Sequence, residues 1–207
     1  MFRIITISRE YGSGGARVAE ILAKRLGWKL VDRSLVAEVA KRAQVDPAVV
    51  ARFDESADPW FHHLVKALWR GGYEGVASQV ETEALDSQTM ALIAGEILLE
   101  AAKLGECVMV GRGGQCVLRR REDVFHAAIY APREQRIAAL RERLAPGTDI
   151  EKWMEETDRR RSAYIRHTFG ADWKDLHLYH LMISSVLGHD TVAAAIQCAA
   201  GLVSQGS

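Results

Sequence analysis

Long hydrophobic runs are missing from this 207-residue chain. No stretch approaches the ~18 consecutive apolar residues of a membrane span. The opening MFRIITISRE holds too short an apolar run for a secretory signal, so a cytoplasmic protein with no membrane partner is expected. Cysteine is scarce: Cys107, Cys116 and Cys198 stand far apart, are odd in number and include no CxxC pair. That excludes a disulfide framework and points to free thiols in a reducing compartment. An excess of one charge is missing too, since Lys plus Arg and Asp plus Glu are each 27. The balance argues against a general nucleic-acid binder but leaves room for a local basic pocket that takes a small anion. Internal repeats and low-complexity segments are also absent. With 48% hydrophobic and 26% charged residues, the composition is that of one globular domain over 1–207 with a substantial core.

What is present alternates. FRIITI (2–7) is a nearly continuous apolar run rich in β-branched residues, as in a strand buried on both faces. WKLV (28–31), CVMV (107–110), VFHAAIYA (124–131) and LYHLMIS (178–184) give four more strands. Between them, Val18, Ile21, Leu22 and Leu26 share one helical face that Gly27 ends. Further helices are expected over 34–43, over 87–104, after Pro132 with Ile137, Leu140 and Leu144 aligned, and over 190–203. TDIE reads as a capping box, Thr148 with Glu151, that opens a long polar helix closed near Gly170. Residues 46–88, with two prolines and the pair Gly71–Gly72, form a helical insertion. Strands alternating with helices give a parallel sheet covered on both faces, with ligands beyond the carboxyl ends of the strands.

The stretch SREYGSGGARVAE (8–20) joins the first strand to the first helix, and three readings compete for it. In one, Gly12, Ser13, Gly14 and Gly15 form a nest of backbone N–H groups at a helix N-terminus that cradles phosphate. In another it is a dinucleotide fingerprint: Gly12 and Gly14 match, Asp32 follows twenty residues later, but Arg17 stands where the third glycine belongs. In the third the glycines make only a tight turn. Against GxxxxGK[ST], laid on residues 9–16, the lysine is replaced by Gly15 and the hydroxyl residue by Ala16. That lysine neutralises phosphate charge during transfer, and the hydroxyl holds magnesium. Arg9 and Arg17 flank the loop and are placed to supply charge from another direction.

Arginine is concentrated elsewhere as well. Arg159, Arg160, Arg161 and Arg166 lie on the polar helix, where Arg159 and Arg166 share a face and Arg161 points away from it. They read either as groups that clamp a transferring phosphoryl or as a solvated surface paired with Glu155, Glu156 and Asp158. Arg119–Arg121 reads as a solvated turn. Arg112 sits between glycines just past a buried strand, where a packing role is hard to assign. The histidines offer no set of three metal ligands, the tryptophans read as packing residues, with Trp60 or Tyr73 available to stack on a base, and no nucleophile–base pair stands out.

ITISREYGSGGARVAEILAKRLGWKLVDRSLV, VMVGRGGQCVL, VFHAAIYAPREQRIAAL, TDRRRSAYIRHTFGADW and YHLMISSVLG together resemble the cytidylate kinase-like family of P-loop proteins, over roughly residues 2–200. The resemblance implies a P-loop NTPase-type three-layer α/β/α fold with a five-stranded parallel sheet, a helical acceptor-binding insertion at 46–88 and a helical lid at 148–170. It implies ATP-dependent phosphoryl transfer to a nucleoside monophosphate, CMP or dCMP first, with Mg2+. Gly12, Ser13, Gly14, Gly15, Ala16 and Arg9 then hold the ATP phosphates. Gly111 and Arg112, whose VGRGG resembles a DGRD turn with Val110 in place of aspartate, hold the acceptor together with Asp32 and Arg33. DRRR resembles a D-x-x-R lid motif, Asp158 with Arg161, so Arg161, its neighbours Arg159 and Arg166, and Arg17 are the candidate catalytic cations. The family carries GSGG rather than GSGK, and Ser184–Ser185 depart mildly from its usual residues. A nucleotide sensor of weak activity, a kinase for a non-nucleotide acceptor and a dinucleotide-binding oxidoreductase are the rival readings.

Overall fold

The computed structural model of the chain describes residues 1–32, 34–35, 60, 63–64 and 87–202. The insertion expected at 46–88 therefore lies almost wholly outside the described residues, as do Arg33, Tyr73 and most of the helix expected over 34–43. Five strands form one sheet: β1 (Ile4–Arg9), β2 (Lys29–Val31), β3 (Cys107–Val110), β4 (Val124–Tyr130) and β5 (Leu181–Ser184), in the order β2-β3-β1-β4-β5. Pairing is parallel, with Ile7 beside both Val110 and Ala127. The helices are α1 (Gly15–Leu26), α2 (Ser87–Leu104), α3 (Gly114–Val117), α4 (Arg133–Arg141), α5 (Ile150–Phe169) and α6 (His189–Ala199). The chain divides into two compact units, Met1–Leu30 with the residues from Glu106 onward, and Val31–Gly105.

In the first unit the central strands β1, β3 and β4 are buried on both faces along almost all of their length. Ile5, Ile7, Val108, Val110, Phe125, Ala127 and Ile129 pack under α1 and α6, which contribute Val18, Leu22, Val192 and Ile196. Each fully buried Val, Leu or Ile in this cluster is worth about 1.5–3 kcal/mol. The alternate residues, Ile4, Thr6, Ser8, Met109, His126 and Ala128, are buried on the opposite face, where α3 and the segment after α5 form the third layer of this α/β/α fold. In the second unit α2 buries Ile93, Ala94, Ile97, Leu98, Ala101 and Ala102 at three- and four-residue spacing, and Glu100 faces Lys103 and His63. No helix among the described residues is long and apolar enough to cross a membrane, and Cys107, Cys116 and Cys198 are free thiols.

Several element ends differ from expectation by one to three residues or more, β1 running over Ile4–Arg9 and α4 ending at Arg141 among them, and three of the differences have a clear local reason. The N-cap of α5 is Asp149, whose carboxylate accepts from the Lys152 amide at 3.1 Å, while the Thr148 hydroxyl donates to Ala145 O at 2.7 Å. Asp149 stands one residue nearer the helix, and its carboxylate is free to accept from the Lys152 amide because the Thr148 hydroxyl is turned back to Ala145 O. β5 begins at Leu181 rather than at Leu178, because Asp175 caps a 3-10 turn over Leu176–Leu178. α6 stops at Ala199, where the Gly201 amide closes on Cys198 O.

β3 leaves the sheet through three consecutive left-handed residues, Gly111 (φ 73), Arg112 (φ 53) and Gly113 (φ 71). A Cβ on Gly113 would meet the Phe169 ring at 2.3 Å, whereas one on Gly147 (φ 85) would meet nothing within 4 Å. Gly147→Ala therefore carries only the backbone penalty, about 1 kcal/mol. Gly113→Ala adds overpacking and loses about 3 kcal/mol; urea unfolding of both variants checks the ranking. On the buried face Thr6 Oγ1 lies 2.6 Å from His126 Nδ1, and the His126 ring stacks on His180. Burial first, and His180 second, push the His126 pKa down from 6.5 to about 4. Between those values the unfolded chain takes up a proton that the folded protein excludes, so this group's share of the stability is lost as pH falls through that window. Unfolding free energies measured across it should show a shallower pH dependence for His126→Gln than for the parent protein.

Candidate active site

The glycine loop is held from below by charge as well as by the buried Leu140 side chain against Gly12. The Glu10 amide donates to Ile129 O at 3.0 Å, so the loop leaves β1 still bonded to β4. Arg136 of α4, only 8% exposed, donates from Nε to Tyr11 O at 2.7 Å, pairs with Glu10 Oε2 at 3.3 Å and forms a short ion pair with Asp158. Asp158 of α5 in turn accepts from the Tyr11 amide at 2.8 Å. Arg161, one turn on, donates to Arg9 O at 2.8 Å, lies 3.5 Å from Asp158 and sits over the Tyr11 ring at 5.4 Å. Burial draws the Arg161 guanidinium below its ordinary pKa, and the neighbouring Asp158 works against that shift. The Asp158–Arg161 spacing thus joins the long helix to the first half of the loop, at Arg9 and Tyr11.

Within the loop Ser13 is buried. Its hydroxyl donates to Glu10 O at 2.9 Å and to Ile129 O at 3.3 Å, and its amide also reaches Glu10 O. Ser13 therefore ties the loop to β4 and leaves the mouth to its neighbours. Among the described residues no hydrogen bond engages the amides of Gly12, Gly14, Gly15 or Ala16, and these stand at the N-terminus of the twelve-residue helix α1. The glycines are required by close approach. A Cβ on Gly12 would meet Arg136 O at 2.9 Å, and one on Gly14 would meet His189 Nε2 at 2.1 Å. His189, the first residue of α6, thus stands beside the mouth, and Ala16 is exposed.

Four of the expected residues come together. Arg9, Gly111, Arg112 and Arg161 line one small cavity, of about 40 Å³, at the carboxyl ends of β1 and β3, walled by Tyr164 and Trp173. An adjoining cavity of about 360 Å³ shares Ser8, Arg9 and Trp173 with it and adds Glu10, Tyr130 and Lys174. Its volume is within the ordinary range for a small-molecule site. The wall is fixed by hydrogen bonds: Trp173 Nε1 donates to Ser8 Oγ at 2.7 Å and the Tyr179 hydroxyl to Trp173 O at 2.8 Å. Burial pushes the Tyr179 phenol up to about 12. Other expected residues fall elsewhere. Arg17 pairs with Glu20 at 2.9 Å on an exposed face, and Arg159 and Arg166 are exposed. Asp32 belongs to the second unit, where its carboxylate accepts from the Leu35 amide and the Ser34 hydroxyl. Sequence reasoning missed Arg136, Glu10, Tyr11 and His189. Arg136 had one visible sign, since it precedes buried Leu140 by four residues and so lies on the inward stripe of α4.

The pattern of the cytidylate kinase-like family matches residues 4–186. No curated protein matches the chain. Among solved structures, an uncharacterized protein from Eubacterium ventriosum is 21% identical, with 94% of this chain and 98% of that one covered at a TM-score of 0.64. Shikimate kinase from Acinetobacter baumannii, solved with shikimate, is 14% identical, with 96% and 93% covered at a TM-score of 0.51. Shikimate kinase from Bacteroides thetaiotaomicron is 12% identical, with 94% and 96% covered at a TM-score of 0.50. At these identities the likeness is one of fold. Removing the carboxylate of Asp158 releases the Tyr11 amide and strands Arg136. Asp158→Ala therefore loses about 3 kcal/mol, against less than about 0.5 kcal/mol for exposed Arg159→Ala; equilibrium urea unfolding measures both.

Proposed function

The chain belongs to the cytidylate kinase-like family, and on that premise we propose that it transfers the γ-phosphoryl group of ATP to a nucleoside monophosphate, with CMP or dCMP the first acceptors to test. The observation that carries this reading is the convergence of Arg9, Arg112 and Arg161 on one cavity beside the glycine loop. Phosphoryl transfer asks mainly for positioning and for stabilisation of negative charge on oxygens, and guanidinium groups supply both. The amides of Gly12, Gly14 and Gly15 hold donor phosphates at the positive end of α1. Arg112 holds the acceptor phosphate, and Arg161 steadies charge on the group in transit. The bond formed joins an acceptor oxygen to the γ-phosphorus, and the bond broken is the one that frees ADP. Magnesium, when bound, adds charge neutralisation; Ala16 offers it no oxygen, so its ligands come from phosphates and water. The partner is a small nucleotide, in keeping with the balanced charge of the chain, and the site of action is the cytoplasm.

The strand order speaks against the oxidoreductase reading, because β3 lies between β2 and β1, unlike the 3-2-1-4-5-6 order of dinucleotide-binding sheets. A nucleotide sensor is the reading that Gly15 and Ala16 favour. A coupled assay of ADP release across the nucleoside monophosphates separates the two. The kinase reading expects turnover with CMP or dCMP and a fall of about 100-fold or more in kcat/KM for Arg161→Ala. Unchanged turnover in that variant removes Arg161 from the site, and ATP binding without ADP release from any monophosphate establishes the sensor.

A further inference from the structure

Gly15 is the first residue of α1 and occupies the position where a lysine-bearing phosphate loop carries its cation. A Cβ built on Gly15 would lie 2.6 Å from Arg9 Cβ and 3.0 Å from Arg9 Cγ. The root of any side chain at position 15 is thus already filled by the stem of Arg9. From there the side chain runs to the turn after β3, where a Cβ on Gly111 would lie 2.1 Å from Arg9 Nη1 and 3.0 Å from Cζ. The two glycines leave a channel of backbone, and one arginine lies along it. Its backbone is fixed at both faces, by the β1–β4 register that sets Arg9 beside Ile129 and by the hydrogen bond from Arg161 to Arg9 O.

We propose that Arg9 is the phosphate-loop cation of this protein, delivered from the end of β1 into the place a lysine at position 15 would take. This rests on the kinase reading above and deepens it by naming the group that meets the donor phosphates. The other flanking candidate, Arg17, is turned to Glu20 on an exposed face. Arg9 alone of the two lines the cavity that Arg112 and Arg161 also line. The exchange changes the chemistry. A lysine ammonium is a point charge on a flexible stem, whereas a guanidinium presents a planar fork that gives two parallel hydrogen bonds to phosphoryl oxygens. It also makes positions 9, 15 and 111 interdependent: the arginine needs glycine at both of the others, and a lysine at 15 needs a small residue at 9.

The test uses the full chain and a fluorescent ATP analogue, with thermal unfolding measured on every variant. Arg9→Met keeps most of the stem packed on Gly15 and removes the guanidinium; it should melt like the parent and bind the analogue at least 10-fold more weakly. Gly15→Lys alone should melt lower and also bind weakly, because two side chains compete for one space. The double variant Arg9→Ala with Gly15→Lys should regain both the melting temperature and most of the affinity. Parent-like binding by Arg9→Met, or a double variant no better than Gly15→Lys alone, overturns the assignment of Arg9 while leaving the kinase reading in place. A parent protein that binds neither the analogue nor ATP overturns both.

Discussion

The site depends on one largely buried ion pair, that between Arg136 and Asp158. Neither residue is in the glycine loop, yet together they hold it: Arg136 takes the carbonyl of Tyr11 and Asp158 takes its amide. A loop of small residues has little side-chain surface to pack and large conformational freedom, so its shape has to be imposed by its surroundings. Charge-assisted hydrogen bonds to the backbone do this with direction as well as strength. Asp158 and Arg161 lie on α5 and Arg136 on α4, so the same contacts dock the long polar helix onto the loop. Loop shape and helix position are consequently one property of the molecule.

The glycines around the site make sense as spaces cut for particular neighbours. Gly12 admits the α4 backbone at Arg136, Gly14 admits His189, Gly15 and Gly111 admit Arg9, and Gly113 admits Phe169. The turn after β3 is left-handed through three residues, one of them Arg112, a conformation that non-glycine residues adopt at a cost of about 1 kcal/mol or more. Such a residue held between two glycines and beside a cavity shared with Arg9 and Arg161 is where stored strain and ligand chemistry are expected to meet. The sheet supplies the rigidity, since β1, β3 and β4 are buried on both faces, Arg9 and Arg112 leave from the ends of β1 and β3, and Arg161 comes from α5.

Much of the fold was legible because it follows from short-range rules. Continuous β-branched runs mark strands buried on both faces, the Val18–Leu22 stripe marks the buried face of α1, and Gly27 and Gly170 close their helices in the left-handed conformation. The errors were also short-range: Thr148 and Asp149 are both good caps, and the choice between them depends on which side chain reaches the Lys152 amide. Within the site, the VGRGG turn and the Asp158–Arg161 spacing were visible, whereas Arg136 reads as one more charge on a polar helix. A buried arginine is recognised only from the partners that make its burial tolerable, and those partners come from Glu10, Tyr11 and Asp158, distant in sequence.

The sequence by itself determined the alternation of strands and helices, the glycine loop at the head of α1 and the absence of a lysine within it, because these are properties of neighbours along the chain. Only the tertiary structure decided which of the many arginines meet. Arg9, Arg112 and Arg161 come from three separate elements and share a cavity through the strand order, while Arg17, Arg159 and Arg166, equally basic on paper, point to solvent. The direction of a side chain depends on the packing of the element that carries it, and that packing is set by the whole core rather than by any stretch of the chain.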